Sequence, residues 1–251
     1  MKVAHSKSRR IKILELVNQA GKISFDELLK QLLVSEATLR RDLSELEEQK
    51  LLVRFRGGAR KIRNTVESSM QMKQTLNVLE KERIGKYAAG LIEPNELVFI
   101  GSGTTTLALA YALNDTSMTV ITNGIVHAEI LHNKKINTFL LCGFIRQHTR
   151  SLSGKEMLQL LASYHFDRAF VGANGINVEL DILSADENEH QIKQLIAKQS
   201  KAMFVLADNS KFGKTAMYLV PKALSQNISI ITDSGVIGYE NQPRLITLPN
   251  E

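Results

Sequence analysis

The sequence predicts an α/β protein in two parts, a small helical head and a larger body built round a mostly parallel sheet. Three observations carry this. Residues 1–63 hold 15 Lys and Arg against 8 Asp and Glu, a net +7, while the remainder is close to neutral within a whole-chain charge of +6. The first fifty residues show apolar positions at helical spacing. Beyond residue 80, short apolar runs alternate with helical stretches, which is the pattern of a parallel sheet covered by helices.

Composition narrows the classes. A chain of 251 residues, 43% apolar and 23% charged, is neither disordered, collagen-like nor a coiled-coil rod. It is long enough for one large domain or two modest ones. One cysteine, Cys142, rules out a disulfide scaffold and fits a reducing compartment. MKVAHSKSRRIK is basic but has no apolar segment behind it, so no signal peptide is expected. No apolar run approaches the roughly 18 residues of a membrane span. A cytoplasmic protein with no membrane partner is expected.

In the head, Ile13, Leu14, Leu16 and Val17 predict a helix over about 9–20, stopped by Gly21. Ser24 with Glu27 three residues on is a capping box, and Leu28, Leu29 and Leu32 give the second helix its core face. A third helix opens at Ser35, with Leu39, Leu43 and Leu46 on one stripe. With that stripe inward, Ala37, Arg41, Ser44 and Glu48 point away, and Thr38 and Arg40 flank them. Small residues admit close approach to a DNA groove, and arginine bonds guanine edges or phosphates. The segment LLVRFRGGARKI follows: Leu52, Arg54 and Arg56 lie on one side, Val53 and Phe55 on the other, with a turn at Gly57-Gly58 and then Arg60, Lys61 and Arg63. This is a winged helix-turn-helix whose wing suits phosphates or the minor groove. A three-helix protein-interaction domain would account for the helices but not for five cations in the wing.

These residues resemble the N-terminal domain of DeoR-family bacterial regulators. Val34-Ser35-Glu36-Ala37-Thr38-Leu39-Arg40-Arg41-Asp42-Leu43 meets the family's V-S-x-x-T-[IL]-R-R-D-L, and Arg54-Phe55-Arg56-Gly57-Gly58-Ala59 its R-x-H-G-G-A. Arg56 replaces the histidine and Lys50 a usual glycine, both adding positive charge. The resemblance implies that Ser35, Thr38, Arg40 and Arg41 face DNA, while Asp42 holds the helix structurally. The full set expected at the duplex is Ser24, Ser35, Ala37, Thr38, Arg40, Arg41, Ser44, Arg54, Arg56, Arg60 and Lys61. The expected divisions are residues 1–62 for DNA binding, 63–80 as linker entering a helix near Leu79, and 81–251 as the sensing body.

In the body, strands are predicted at Leu97–Ile100, Thr119–Thr122, Thr138–Cys142, Ala169–Val171, Met203–Ala207, Ile228–Thr232 and Leu245–Leu248. Helices are predicted at Thr105–Leu113, Val126–His132 and Asn188–Lys201. Five polar turns follow strands: GSGTTT (101–106), Asn123-Gly124, Gly143 with Arg146 nearby, GANG (172–175) and DNSKFG (208–213). Open α/β sheets bind ligands where such turns converge. GSGTTT opens a helix and offers hydroxyls and free N–H groups, an anion seat. Asp208 can accept sugar hydroxyls and Lys211 can meet a phosphate. A phosphorylated sugar uses both, at Ser102, Gly103, Thr104, Thr105, Asn123, Gly143, Arg146, Asn174, Gly175, Asp208 and Lys211.

This half is also similar to the DeoR-family sensor domain, through G-T-T (103–105), Thr122-Asn123, Gly143, Phe166-Asp167, 172–176 and 208–213. That implies a fold similar to ribose-5-phosphate isomerase. A recognition helix of this size reads only a few base pairs, so a homodimer or homotetramer joined through the body is expected. Gly101 in place of an Asp, followed by Ser-Gly-Thr-Thr, with Asp186-Glu187 downstream, resembles the lactose phosphotransferase repressor branch, whose effector is tagatose 6-phosphate. Another ketose or aldose phosphate fits the same substitution.

A rival reading is a sugar-phosphate isomerase fused to a DNA-binding head. Isomerisation needs a carboxylate base; the isomerase's turn is D-G-A-D-E, whereas here it reads Gly172-Ala173-Asn174-Gly175. No enzymatic activity, cofactor or metal is expected. The six histidines (His5, His127, His132, His148, His165, His190) lack paired ligand spacing, and Cys142 is expected in the core. Together these residues lead to a repressor of a carbohydrate operon, binding a double-stranded operator. An activator, or a body answering to protein contact, is the alternative within the same class.

Overall fold

The computed structural model describes residues 9–249, apart from 11, 15, 18–19, 49–51, 61–69, 215, 222–226, 235, 237–238 and 240–241. The chain divides into two units, Met1–Thr65 and Val66–Glu251.

In the smaller unit the described residues of 9–20 form α1, and its Ile13, Leu14, Leu16 and Val17 are buried. Strand β1 (Lys22–Ser24) follows and was not foreseen. Three residues show no alternation to read, and the strand exists only because it pairs with the wing. Helix α2 (Phe25–Leu32) has the Ser24–Glu27 capping box and buries Leu28; Leu29 and Leu32 are half-buried. Helix α3 (Glu36–Glu48) buries Leu39, Leu43 and Leu46, and adds Asp42 to that face. The wing is β2 (Val53–Phe55) and β3 (Gly58–Arg60), in a sheet ordered β1-β3-β2. Gly57 takes φ +101, and a Cβ on Gly58 would lie 2.2 Å from the Ile23 carbonyl oxygen. The first needs glycine for conformation, the second for close strand approach. Leu52 is buried rather than beside exposed Arg54 and Arg56, because it precedes the strand and does not share its alternation.

The larger unit opens with α4 (Met70–Gln74) and α5 (Val78–Ala89). Of residues 70–80, expected within the linker, 70–74 and 78–80 are helical, joined by a turn at 75–77; Met70 is buried and its N–H bonds the His148 carbonyl at 2.8 Å. Residues 63–69 lie outside the described residues. Then come β4 (Leu97–Ile100), α6 (Thr104–Ala112), β5 (Thr119–Thr122), α7 (Ile125–Asn133) and β6 (Asn137–Leu140). A hairpin of β7 (Phe144–Arg146) and β8 (Ser151–Ser153) leads to α8 (Lys155–Leu161) and β9 (Phe166–Gly172). Next are β10 (Gly175–Ile176), β11 (Ile182–Ser184), α9 (Glu187–Gln199), β12 (Ser200–Leu206), β13 (Tyr218–Val220), β14 (Ile228–Thr232) and β15 (Leu245–Thr247).

Seven of these strands form one sheet, ordered β15-β14-β12-β9-β4-β5-β6, with every pairing parallel. Phe99, Ile121, Val171, Val205 and Ile230 pack into one core, and Val98, Ile100, Val120, Phe170, Leu206 and Ile231 into a second. Successive strand residues alternate between the two, so both faces are covered and the central strands read as unbroken apolar runs. β10, β11 and β13 form a separate small antiparallel sheet.

Cys142 corrects the expectation of a core residue: it is exposed. Strand β6 stops at Leu140 and is the outer strand of the sheet. An apolar run at a sheet edge looks like a central strand in sequence but has no neighbour to cover it.

Candidate nucleic-acid interface and effector site

Ser35 caps α3. Its Oγ accepts the Thr38 N–H at 3.3 Å and lies 2.8 Å from the Thr38 hydroxyl. Ala37, Arg40 and Arg41 are exposed on the outer face. Arg40 donates to Glu36 at 3.3 Å and stands 4.8 Å from the Phe25 ring centre, so it is braced. Arg41 has no side-chain partner among the described residues. Arg54 reaches from the wing to the Ser44 hydroxyl, and its N–H bonds Glu47 at 2.9 Å. These two expected DNA residues thus tie wing to helix. Arg56 and Arg60 are exposed; Lys61 lies outside the described residues. Ser24 is committed to its capping box, accepting the Glu27 N–H at 3.2 Å.

Asp42 is buried and paired with α1 through Arg9, whose second bond is 3.2 Å, and Arg10 at 3.6 Å. The hydrogen bond that Arg9 donates to Asp42 holds its guanidinium above the usual pKa. This agrees with the structural role the resemblance implied for Asp42.

In the larger unit the turns after the parallel strands stand in series. A Cβ on Gly103 would lie 3.7 Å from the Gly172 Cα, so the tips of β4 and β9 touch. Asn123 exchanges hydrogen bonds with Leu152 of β8, while its Oδ1 is buried without a partner among the described residues. Arg146 of the hairpin pairs with Asp186, and Asn174 Oδ1 accepts the Ala185 N–H at 3.1 Å. The Gly213 N–H bonds Ile176 at 2.9 Å, joining the 208–213 turn to β10.

Within this ring the expected residues divide. Ser102 and Thr104 are half-buried at the start of α6, where the first helical N–H groups have no intrahelical acceptor; Thr105 behind them is buried. Gly143 and Gly175 serve the chain itself: a Cβ would meet the Ser153 carbonyl oxygen at 2.5 Å and that of Lys214 at 2.3 Å. Asp208 caps a 3-10 turn (Asn209–Lys211) and accepts the Ser210 N–H at 3.1 Å, with Lys211 Nζ 3.7 Å away. Burial would raise the pKa of Asp208, but Lys211, Ser210, Lys81 and Asn77 together outweigh it and hold it below the usual range.

Three residues of this site escaped sequence reading. Asn77 donates to Asp208 Oδ1 at 2.7 Å and to the Ser210 hydroxyl at 3.0 Å. Lys81 is buried, donates to the Leu76 carbonyl at 2.6 Å and to that of Lys73, and is pushed down to about 8, burial being the main cause. His127 is fully buried, with Nε2 3.0 Å from the Gly103 carbonyl and 3.2 Å from the Thr106 hydroxyl; burial drives its pKa to about 4. Lys81 sits in an E-K-E-R run that reads as a solvated helix face, and His127 is one of two histidines on an otherwise largely apolar helix.

A family model described as the DeoR-like helix-turn-helix domain matches residues 9–65, and one described as the DeoR C terminal sensor domain matches residues 76–234. The chain belongs to the DeoR family. Its DeoR-family relatives include the HTH-type transcriptional repressor GlcR of Bacillus subtilis, 36% identical over 91% of this chain and 89% of that protein. The lactose phosphotransferase system repressor of Staphylococcus epidermidis is 37% identical over 80% of this chain and 82% of its own length. Among solved structures, ribose 5-phosphate isomerase A of Methanocaldococcus jannaschii is similar with a TM-score of 0.40 and 17% identity, covering 53% of each chain. Among the described residues, no helix is long and apolar enough to cross a membrane, and no cluster of three His, Cys, Asp or Glu could hold a metal.

Proposed function

We propose that this DeoR-family protein is a transcriptional repressor of a carbohydrate operon. In this reading the head, residues 1–62, binds a double-stranded operator through α3 and the wing. A phosphorylated sugar, bound in the body over residues 81–251, controls that binding. The observation that carries the effector reading is the Asp208–Lys211 turn, a buried carboxylate beside two ammonium groups. It belongs to the same ring of turns as the hydroxyl-bearing start of α6. A carboxylate takes sugar hydroxyls, and cations with a helix N-terminus take phosphate. The relatives named for sugar systems support a sugar phosphate, and tagatose 6-phosphate is the first candidate on the likeness to the lactose repressors.

Binding without turnover fits the acids of this site. The 172–175 turn carries no carboxylate. Asp186 is paired with Arg146 and Glu189 with Lys193. Asp208 is held ionised below the usual range, which makes it a weak base toward a carbon acid. A recognition helix reads few base pairs, so a homodimer or homotetramer built through the body is part of the proposal. The test is a thermal-shift screen over hexose and pentose phosphates with inorganic phosphate as control, alongside an isomerase assay with ribose 5-phosphate. A specific stabilisation without turnover supports the reading. Turnover, or no shift with any sugar phosphate, overturns it.

A further inference from the structure

Asp208 is fully buried, so a ligand can reach its carboxylate only by displacing a side chain that covers it. Among the described residues, Asn77 is the one side chain outside the Asp208–Lys211 turn that hydrogen-bonds this carboxylate. Asn77 stands at the N-cap of α5 in the left-handed region, φ 51, and makes no capping bond with its side chain. Asparagine ordinarily caps a helix by accepting from its first N–H groups. Here the amide is aimed instead at a residue 131 positions away. The same corner is held from below by Lys81, which binds the carbonyls of Lys73 and Leu76 at the end of α4. In sequence, α4 directly follows the residues that lead from the smaller unit.

We propose that Asn77 is a residue of the effector site: it occupies Asp208 in the unliganded protein, a sugar hydroxyl displaces it, and release of the α4–α5 corner is how the ligand state reaches the DNA-binding head. This rests on the reading of the Asp208–Lys211 turn as the effector site. Clasp and ligand compete for one carboxylate. A ligand that binds the unclasped form better shifts the equilibrium toward it, and only by that difference in affinity.

The competition dictates the outcome of removing the clasp. Asn77→Gly deletes both hydrogen bonds while keeping the left-handed backbone, which glycine adopts freely. Asn77→Asp sets a second carboxylate against Asp208 and opens the corner by repulsion. The experiment uses the full-length protein, a duplex selected with it from a random pool, and whichever of glucose 6-phosphate, fructose 1-phosphate and tagatose 6-phosphate stabilises the wild type most. Calorimetry reads the sugar phosphate's affinity and fluorescence anisotropy reads the duplex. Asn77→Gly is expected to bind the sugar phosphate about two- to tenfold more tightly, the worth of one or two lost competing bonds. Its duplex affinity without ligand should equal that of the liganded wild type, with no further response on adding ligand. Asn77→Asp should behave the same way, which covers a Gly variant that folds poorly. If both variants keep the wild-type response of duplex affinity to ligand, or bind the sugar phosphate more weakly, the proposal is overturned. A wild type that ignores every sugar phosphate overturns the effector reading and this inference with it. A wild type that binds one while the variants respond as it does overturns the inference alone.

Discussion

The Nε2 of His127 lies 3.0 Å from the Gly103 carbonyl oxygen, so a side chain from α7 braces the loop that opens α6. With its pKa pushed to about 4 by burial, this imidazole is neutral at pH 7, and Nε2–H is the donor to Gly103.

That arrangement makes stability pH-dependent. The unfolded histidine takes up a proton near pH 6.5 and the folded one only near 4, so stability is full above 6.5 and falls between those values as the pH drops. The whole shift is worth about 3 kcal/mol. Urea unfolding followed across pH 4–7 should show this loss, and His127→Gln, which cannot titrate, should flatten it. An unchanged slope in the variant would remove His127 as the cause.

Lys211→Ala should abolish the thermal shift given by a sugar phosphate. In the wild type that shift corresponds to about 2.7 kcal/mol at a hundredfold excess over Kd. Duplex binding by the variant should stay as it was. Loss of both activities together would place Lys211 in the folding of the unit, not in ligand capture.

Arg41 and Arg56 should differ in kind at the duplex. If Arg41 reads a base edge, Arg41→Ala costs about 1–3 kcal/mol on the preferred duplex and relaxes sequence choice. Arg56→Ala should weaken all duplexes alike and lower the slope of log affinity against log salt by about one, as for a lost phosphate contact. Salt titrations of anisotropy on selected and scrambled duplexes separate the two.

Asp42→Ala should destabilise the smaller unit by about 1–3 kcal/mol, because it takes away the carboxylate that Arg9 bonds, while Arg10 keeps Glu45. Denaturant unfolding measures this. A change under 1 kcal/mol would mean that the pair contributes little.

The helices of the head and the strands of the body were legible because the signals are local. Leu39, Leu43 and Leu46 repeat at the helical period, Ser24 and Glu27 close a box over three residues, and β4, β5 and β14 begin and end where their apolar runs do. The turns of the site were legible for the same reason, since each follows its strand.

Position in the sheet was not local. The run ending in Cys142 has the composition of a buried strand, yet β6 is the outer one, and whether a strand has a second neighbour is settled by chain topology. The same holds for the polar contacts that complete the site. Residue types and periods alone determined that this chain forms a cationic head and a glycine-edged parallel sheet. Only the folded chain decided that Asn77 and Lys81 close on Asp208, because burial, a hydrogen bond across 131 residues and charge attraction between equally distant segments depend on where those segments meet, and no short window of sequence encodes that meeting.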